Sequence, residues 1–128
     1  MNDLPPSARF SVSQQFFFDA AHTLHRDIEK EGSLRVHGHT YFAEVTVSGQ
    51  PDPHTGMVVD LGWVRLHIDK LRPQLDHHLL DEVPGLGPAT LENLCSFRWR
   101  SLVPALPGLS LVRVWRDSIG DGCTLTQV

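Results

Sequence analysis

Two histidines lie two residues apart in the stretch RVHGHTY, and their spacing suits metal binding. His37 and His39 stand at the start of a segment rich in strand-forming residues. Side chains two apart on a strand project to the same face of a sheet, so the two imidazoles would lie side by side. Neutral imidazole is a common metal ligand. The alternative is that both are surface histidines in a chain that contains eight histidines.

A third histidine, His22, follows the preceding strand-like segment in FFFDAAH. A hairpin between the two segments would bring the end of the first strand near the start of the second. Three imidazoles with a fourth position open are the usual form of a catalytic zinc site. The candidate metal ligands are therefore His22, His37 and His39.

The surrounding pattern predicts the elements that hold these histidines. Apolar residues alternate with polar ones in the strand-like segments and recur at helical spacing in two others. The predicted strands cover residues 10–18, 41–48, 110–117 and 122–128, and the predicted helices cover residues 60–74 and 90–103. Asp60 and Thr90 are the predicted N-caps. The order ββααββ predicts an α+β fold, with an antiparallel four-stranded sheet and two helices on one face.

Composition limits the classes of function. The 128 residues predict a single domain, 1–128, with residues 1–9 as a flexible lead-in. We expect no membrane partner, because no apolar run approaches about 18 residues, and a cytoplasmic location, because the N-terminus does not resemble a signal peptide. The net charge of −4 without a basic cluster argues against nucleic acid. Cys95 and Cys123 are too far apart in sequence for a CxxC metal site.

Five segments in order, FFFDAAH, HGHTY, GMVVD, LDHHLLD and ATLEN, resemble the 6-pyruvoyl-tetrahydropterin synthase / 6-carboxytetrahydropterin synthase family between residues 16 and 117. The resemblance implies the tunnelling fold (T-fold), in which ββααββ subunits join their sheets into an oligomeric barrel, as a homotrimer or as a homohexamer of two stacked trimers. It implies Zn²⁺ held by His22, His37 and His39. It also implies a small-molecule substrate, a reduced pterin triphosphate such as 7,8-dihydroneopterin triphosphate.

The resemblance implies a cysteine as the general base, assisted by an Asp-His pair that Asp76 and His77 match. The Asp76 carboxylate would fix the tautomer of the His77 imidazole and raise its basicity. In the other interpretation, His77 only follows a helix C-terminus, where a cation is mildly favoured. The family's cysteine is replaced by Ser33, and an alcohol is a much weaker acid than a thiol. Glu31, two residues away, is a possible alternative base if its loop is shifted, whereas Glu29 and Glu31 are otherwise solvated loop charges.

The resemblance also assigns residues to the pterin. Thr90 and Glu92 match a family segment, although Thr90 needs no role beyond that of a helix cap. The position of the family's pterin-binding glutamate holds Arg116, whose guanidinium is a donor only. Asp117 could replace that carboxylate if a β-bulge turned it to the inner face of the sheet.

Two functions follow from these observations. The first is a zinc-dependent 6-carboxytetrahydropterin synthase-like lyase, because PDPHTGMVVD and LDHHLLDEVPGLG resemble the branch that feeds 7-deazaguanine (queuosine) synthesis. The second is a re-purposed or non-catalytic T-fold protein that keeps zinc and binds a pterin-like heterocycle. A plain oligomeric scaffold, the third option, would not need three zinc ligands and an Asp-His pair together.

Overall fold

The chain folds around a four-stranded antiparallel sheet that carries helices on one face. A computed structural model describes residues 3–127. The strands, in the order β1-β2-β3-β4 across the sheet, are β1 (Phe10–His22), β2 (His37–Gly49), β3 (Leu109–Arg116) and β4 (Asp121–Thr126). The helices are α1 (Lys30–Leu34), α2 (Leu61–Leu71) and α3 (Leu91–Leu102). The predicted α+β class and the ββααββ order of the main elements are confirmed.

The core lies between the sheet and the two longer helices. Alternate residues of β2, namely Tyr41, Ala43, Val45 and Val47, are buried on the helix-facing side. Helices α2 and α3 cover them with buried aliphatic side chains that recur at helical spacing: Val64, Ile68, Leu94 and Leu102. Burial of such side chains contributes roughly 1.5–3 kcal/mol each, so this packing fixes the sheet that carries the histidines.

Strands β1 and β2 are longer than predicted, and the added residues carry the site. They pair from Phe10 opposite Gly49 to His22 opposite His37. The prediction ended the first strand at residue 18 and began the second at 41, since alanine, aspartate and glycine are poor strand formers. Pairing across the hairpin overrides those local preferences at its histidine end.

The helices begin as predicted but differ in extent. The Asp60 side chain accepts a hydrogen bond from the Gly62 N–H at 2.8 Å, and the Thr90 hydroxyl accepts one from the Asn93 N–H at 3.1 Å. Helix α2 ends at Leu71, earlier than predicted, because Pro73 has no N–H to continue the helical ladder. The chain continues there as a 3-10 turn, Arg72–Gln74. Helix α1 was not predicted, since five residues that include glycine and serine have weak helical propensity.

The second face of the sheet is not covered by the helices. Hydroxyl groups of Ser11, Ser48 and Ser110 form a hydrogen-bonded row across three strands, with both Oγ–Oγ distances 2.7 Å. Part of the predicted lead-in is described, and its Ala8 N–H donates to the Pro5 carbonyl at 2.9 Å. Residues 1, 2 and 128 lie outside the described residues. Within 3–127, no helix has the length and apolar character needed to cross a membrane.

Candidate functional site

The three predicted metal ligands meet at the loop end of the β1–β2 hairpin, where residues 23–36 connect the two strands. His22 ends β1 and is paired with His37, the first residue of β2, and His39 is two residues further on the same face. The ring centroids lie 4.5 Å (His22–His37), 5.0 Å (His22–His39) and 4.9 Å (His37–His39) apart. Together these residues are a group that could hold a metal ion.

Hydrogen bonds orient two of the rings in the way that metal binding requires. The His22 Nδ1–H donates to the Ala89 carbonyl at 2.9 Å, and the His37 Nδ1–H donates to the Arg35 carbonyl at 2.7 Å. Because a carbonyl can only accept, each neutral ring keeps its Nε2 lone pair for a metal. The His22 and His39 Nε2 atoms lie 3.2 Å apart. Two nitrogens on one tetrahedral zinc, at about 2.0–2.1 Å from it, are separated by roughly 3.3 Å, so the donor set fits zinc.

Burial favours the neutral, metal-binding form of the His22 and His39 imidazoles. Desolvation lowers the pKa of His22, despite its hydrogen bond to the Ala89 carbonyl. Desolvation also lowers the pKa of His39 to about 4, and the positive charge of Arg116 acts in the same direction. A metal ion therefore would not have to displace a proton from either ring at neutral pH.

Ser33, which the resemblance matched with the family cysteine, is buried on α1 and accepts a hydrogen bond from an arginine. The Arg26 Nε–H donates to the Ser33 Oγ at 2.8 Å. Arg26 also forms an ion pair with Glu29 at 2.5 Å. A hydroxyl oxygen that already accepts from a guanidinium has less capacity to accept a further proton, so Ser33 is a poor general base in this setting.

The alternative base, Glu31, is exposed in the first turn of α1. Glu31 could serve as the base only if its loop were shifted towards the site. Instead, α1 buries the Ser33 side chain and leaves Glu31 in solvent. Glu29 is also exposed and is paired with Arg26. Within one chain, both carboxylates are exposed to solvent, so neither lies in a partly dry pocket.

Asp76 and His77 are adjacent, and their side chains interact. The His77 Nδ1 lies 3.3 Å from an Asp76 carboxylate oxygen, and Arg72 lies 3.5 Å from the same oxygen. The Asp19 N–H donates to the other oxygen at 2.9 Å. Burial alone would raise the pKa of Asp76, but the Asp19 N–H, His77 and Arg72 together lower it. Asp76 is therefore an ionised partner that can orient the imidazole.

The backbone holds His77 in an unusual position at the edge of the sheet. Its φ is +60°, in the left-handed region that non-glycine residues seldom adopt. Its N–H donates to the Asp19 carbonyl at 2.6 Å, which attaches this segment to β1. The His77 side chain is 79% exposed. A cavity of about 570 Å³ is lined by both His39 and His77, so the candidate base and one metal ligand face a common space.

A second cavity, of about 440 Å³, contains most of the predicted substrate residues. His22, Thr90, Glu92 and Arg116 all line it. Arg26 and Cys123 of the same chain line it too. Cys95 is buried in the core, and burial raises its pKa to about 12.

Arg116 is paired with an aspartate that the sequence analysis did not consider. Its Nε–H and Nη2–H donate to the two carboxylate oxygens of Asp121 at 2.9 and 2.6 Å. These hydrogen bonds hold the pKa of Asp121 below its usual range. The bulge proposed for Asp117 is not present: β3 and β4 stay in register through Arg116, and Asp117 lies exposed in the turn that follows.

Three contributors to the site were missed, namely Asp19, Arg26 and Asp121. The predicted strands, 110–117 and 122–128, left Asp121 in the turn, whereas the observed four-residue turn from 117 to 120 places it opposite Arg116. Arg26 and Asp19 gave no signal, since their contacts depend on the fold of α1 and on the segment after α2.

The site therefore combines a three-imidazole donor set, an aspartate–histidine pair and a polar cavity with a bidentate ion pair. Such a set can polarise an oxygen next to a carbon, remove a proton from that carbon and hold a polar heterocycle. Proton abstraction next to an oxygen-bearing carbon is the reaction class that this arrangement supports.

Known proteins share this arrangement of strands and helices. Residues 11–127 match the family model described as 6-pyruvoyl tetrahydropterin synthase. The chain is 36% identical over 118 residues to the 6-pyruvoyl tetrahydrobiopterin synthase of Poecilia reticulata, with 80% of each protein covered. It is 38% identical over 63 residues to a protein of Pyrococcus abyssi described as a putative 6-carboxy-5,6,7,8-tetrahydropterin synthase. That match covers 49% of this chain and 36% of the relative. The structure of Caenorhabditis elegans 6-pyruvoyl tetrahydropterin synthase matches 94% of this chain and 97% of its own, with a TM-score of 0.79 at 22% identity. This likeness confirms the T-fold.

Proposed function

Because the chain belongs to the 6-pyruvoyl tetrahydropterin synthase family, whose members are tetrahydropterin synthases, we propose that it is a zinc-dependent synthase of the 6-carboxytetrahydropterin type. Its substrate would be 7,8-dihydroneopterin triphosphate. The observation that carries the proposal is the 3.2 Å approach of the His22 and His39 Nε2 atoms beside His37, which matches the spacing of ligands on one zinc ion.

His22, His37 and His39 would hold the zinc, and all three lie on the paired strands β1 and β2. When bound, zinc supplies Lewis-acid polarisation of an oxygen on the substrate side chain. The carbonyls of Ala89 and Arg35 hold the imidazole tautomers of His22 and His37, so the donor set needs little rearrangement.

His77 is the group best suited to remove the side-chain proton. An imidazole is a stronger base than a serine hydroxyl at neutral pH, and the ionised Asp76 keeps the Nδ1 proton in place and leaves Nε2 free to accept. A base that is 79% exposed in one chain is still open to water. Its cover would have to come from substrate or from a neighbouring chain, which connects catalysis with assembly.

Assembly is therefore the first prediction. Strands β1 and β4 are the edges of the described sheet, and the face opposite the helices carries the hydroxyl row and the half-exposed Phe17. Barrel closure would pair the edges and enclose that face. We expect light scattering at micromolar protein to give the mass of three or six chains, and a stable mass of one chain would contradict the barrel.

The second prediction concerns Ser33. Ser33→Ala should cost little turnover, because Arg26 already occupies the hydroxyl oxygen as a donor. Ser33→Cys should raise turnover, since a guanidinium beside a thiol lowers its pKa and favours the thiolate. The gain is expected to reach on the order of 10² if the thiolate acts as a positioned base. Steady-state rates of the two variants and the wild type measure this, and a large loss in Ser33→Ala would mean that Ser33 itself takes part in proton transfer.

The carboxy branch is proposed on two grounds. The motifs around residues 51–60 and 75–87 resemble that branch, and one relative is described as a putative 6-carboxy-5,6,7,8-tetrahydropterin synthase. This assignment would place the reaction in the 7-deazaguanine (queuosine) pathway. The second candidate, a re-purposed zinc protein that binds a heterocycle without turnover, is favoured by one observation: Arg116 replaces the carboxylate that the family uses for the pterin.

One experiment separates these candidates. The zinc-loaded protein is incubated with 7,8-dihydroneopterin triphosphate, and triphosphate, acetaldehyde and the pterin product are measured. Triphosphate with an equal amount of acetaldehyde and 6-carboxytetrahydropterin supports the proposal. Triphosphate without acetaldehyde indicates the pyruvoyl-forming reaction. Ligand binding with no product indicates the re-purposed protein.

A further inference from the structure

The Arg116–Asp121 ion pair lies inside the cavity that adjoins the histidine cluster. The two residues are directly opposite each other on β3 and β4, and opposite residues of an antiparallel pair project to the same face. Val114 and Val112, the alternate residues on β3, are buried beneath the helices, so Arg116 and Asp121 also point to the helix-facing side. Both line the cavity of about 440 Å³ with His22.

The hydrogen-bonding capacity of this pair is only partly used within it. A guanidinium has five N–H donors, and two of those of Arg116 bind Asp121. A carboxylate has about four lone-pair sites. Arg116 binds the two that point towards it, one on each oxygen of Asp121. The Asp121 side chain is 41% exposed, so its outer lone pairs remain open to a ligand.

This arrangement changes what the cavity can recognise. A carboxylate without such a partner can accept two adjacent N–H groups of a ligand, using one lone pair on each oxygen, as it does in a bidentate pair. Those positions are occupied by Arg116 here, and the outer lone pairs of Asp121 point in different directions. What remains is an acceptor on Asp121 next to donors on Arg116.

We propose that the Arg116–Asp121 pair recognises a lactam edge, H–N–C=O, of the substrate heterocycle. Arg116 donates to the ring carbonyl oxygen, and Asp121 accepts from the neighbouring ring N–H. Asp121 is therefore a specificity-determining residue supplied by β4. The Arg116–Asp121 pair does not bind the exocyclic amino group of a pterin. The inference rests on the proposed function, because it takes the ligand to be a pteridine.

The test compares two ligands that differ at one position. A pterin and the lumazine with the same 6-substituent share the N3–H and C4=O edge, but lumazine has a carbonyl where the pterin has its 2-amino group. Calorimetry on zinc-loaded wild-type protein should give dissociation constants within about threefold of each other. A carboxylate that binds the 2-amino group and N3–H would instead weaken lumazine on the order of tenfold to hundredfold, since one hydrogen bond to a charged group is lost.

Variants assign the effect to residues. Asp121→Asn keeps the size of the side chain but turns an amide N–H₂ outward in place of the acceptor, so both ligands should weaken about tenfold or more together. Asp69→Asn is the matched control, because Asp69 is exposed on α2, outside the cavity, and it should leave both constants unchanged. Zinc content and the unfolding temperature of each variant report whether it is folded.

The outcomes separate the two proposals. If the pterin binds but lumazine is at least tenfold weaker, or if Asp117→Asn loses binding while Asp121→Asn keeps it, the lactam inference is wrong and the proposed function stands. If neither pteridine binds the zinc-loaded wild-type protein, the proposed function is wrong, and the inference falls with it.

Discussion

His39→Ala is expected to remove stoichiometric zinc from the protein and, with it, all measurable synthase activity. His39 is two residues from His37 on the same strand face, and its Nε2 lies 3.2 Å from that of His22. Two imidazoles without the third leave a zinc ion short of the usual three protein ligands of a catalytic site. Elemental analysis after gel filtration should give one zinc per chain in the wild type and a small fraction of that in the variant.

A matched control separates the cluster from nonspecific binding by other histidines. His54 is exposed in the turn after β2, away from the site, so His54→Ala should keep one zinc per chain. Zinc added to the wild type should also raise the unfolding temperature, because a ligand that binds only the folded state stabilises it. Full zinc retention in His39→Ala would end the three-histidine assignment.

His77→Ala should lower turnover by on the order of 10²–10⁴, the contribution of a positioned general base. The structure gives three reasons for choosing this residue. Asp76, ionised and held by the Asp19 N–H, is positioned to orient its ring. Ser33 accepts from Arg26 and is a weak base. Glu31, the carboxylate alternative, is exposed on α1. Rates under saturating substrate, with zinc content checked, measure the loss.

The neighbouring His78 provides the control for this variant. It is also exposed and its backbone carbonyl accepts from the Ala21 N–H, an interaction that a side-chain change leaves in place. His78→Ala should therefore keep near wild-type turnover. If His77→Ala does so as well, while Ser33→Ala or Glu31→Gln loses turnover, the base has been assigned to the wrong residue.

Much of the metal site could be predicted because its signal is local. The i, i+2 spacing of His37 and His39 fixes a common strand face, and the hairpin that follows from the two strand patterns brings His22 opposite His37. The helix caps, Asp60 and Thr90, were also visible, since capping depends on a few adjacent residues.

The polar environment of the site could not be predicted in the same way. The Arg26 side chain reaches Ser33 only because residues 30–34, which include Ser33, fold as α1. Five residues of weak helical propensity do not predict such a helix. The pairing of Asp19 with Asp76 joins positions 57 residues apart. Asp117 was considered because it is next to Arg116 in sequence, whereas Asp121 lies opposite Arg116 only through the pairing of β3 with β4.

X-ray absorption at the zinc edge tests whether three imidazoles of one chain hold a zinc ion with one position open to substrate. We expect three imidazole nitrogens at about 2.0–2.1 Å and a fourth, light-atom ligand that changes when a reduced pterin with a hydroxylated side chain is added. A sulfur ligand, or a fourth protein nitrogen that does not change with the pterin, would mean a closed structural site and would contradict the proposed function.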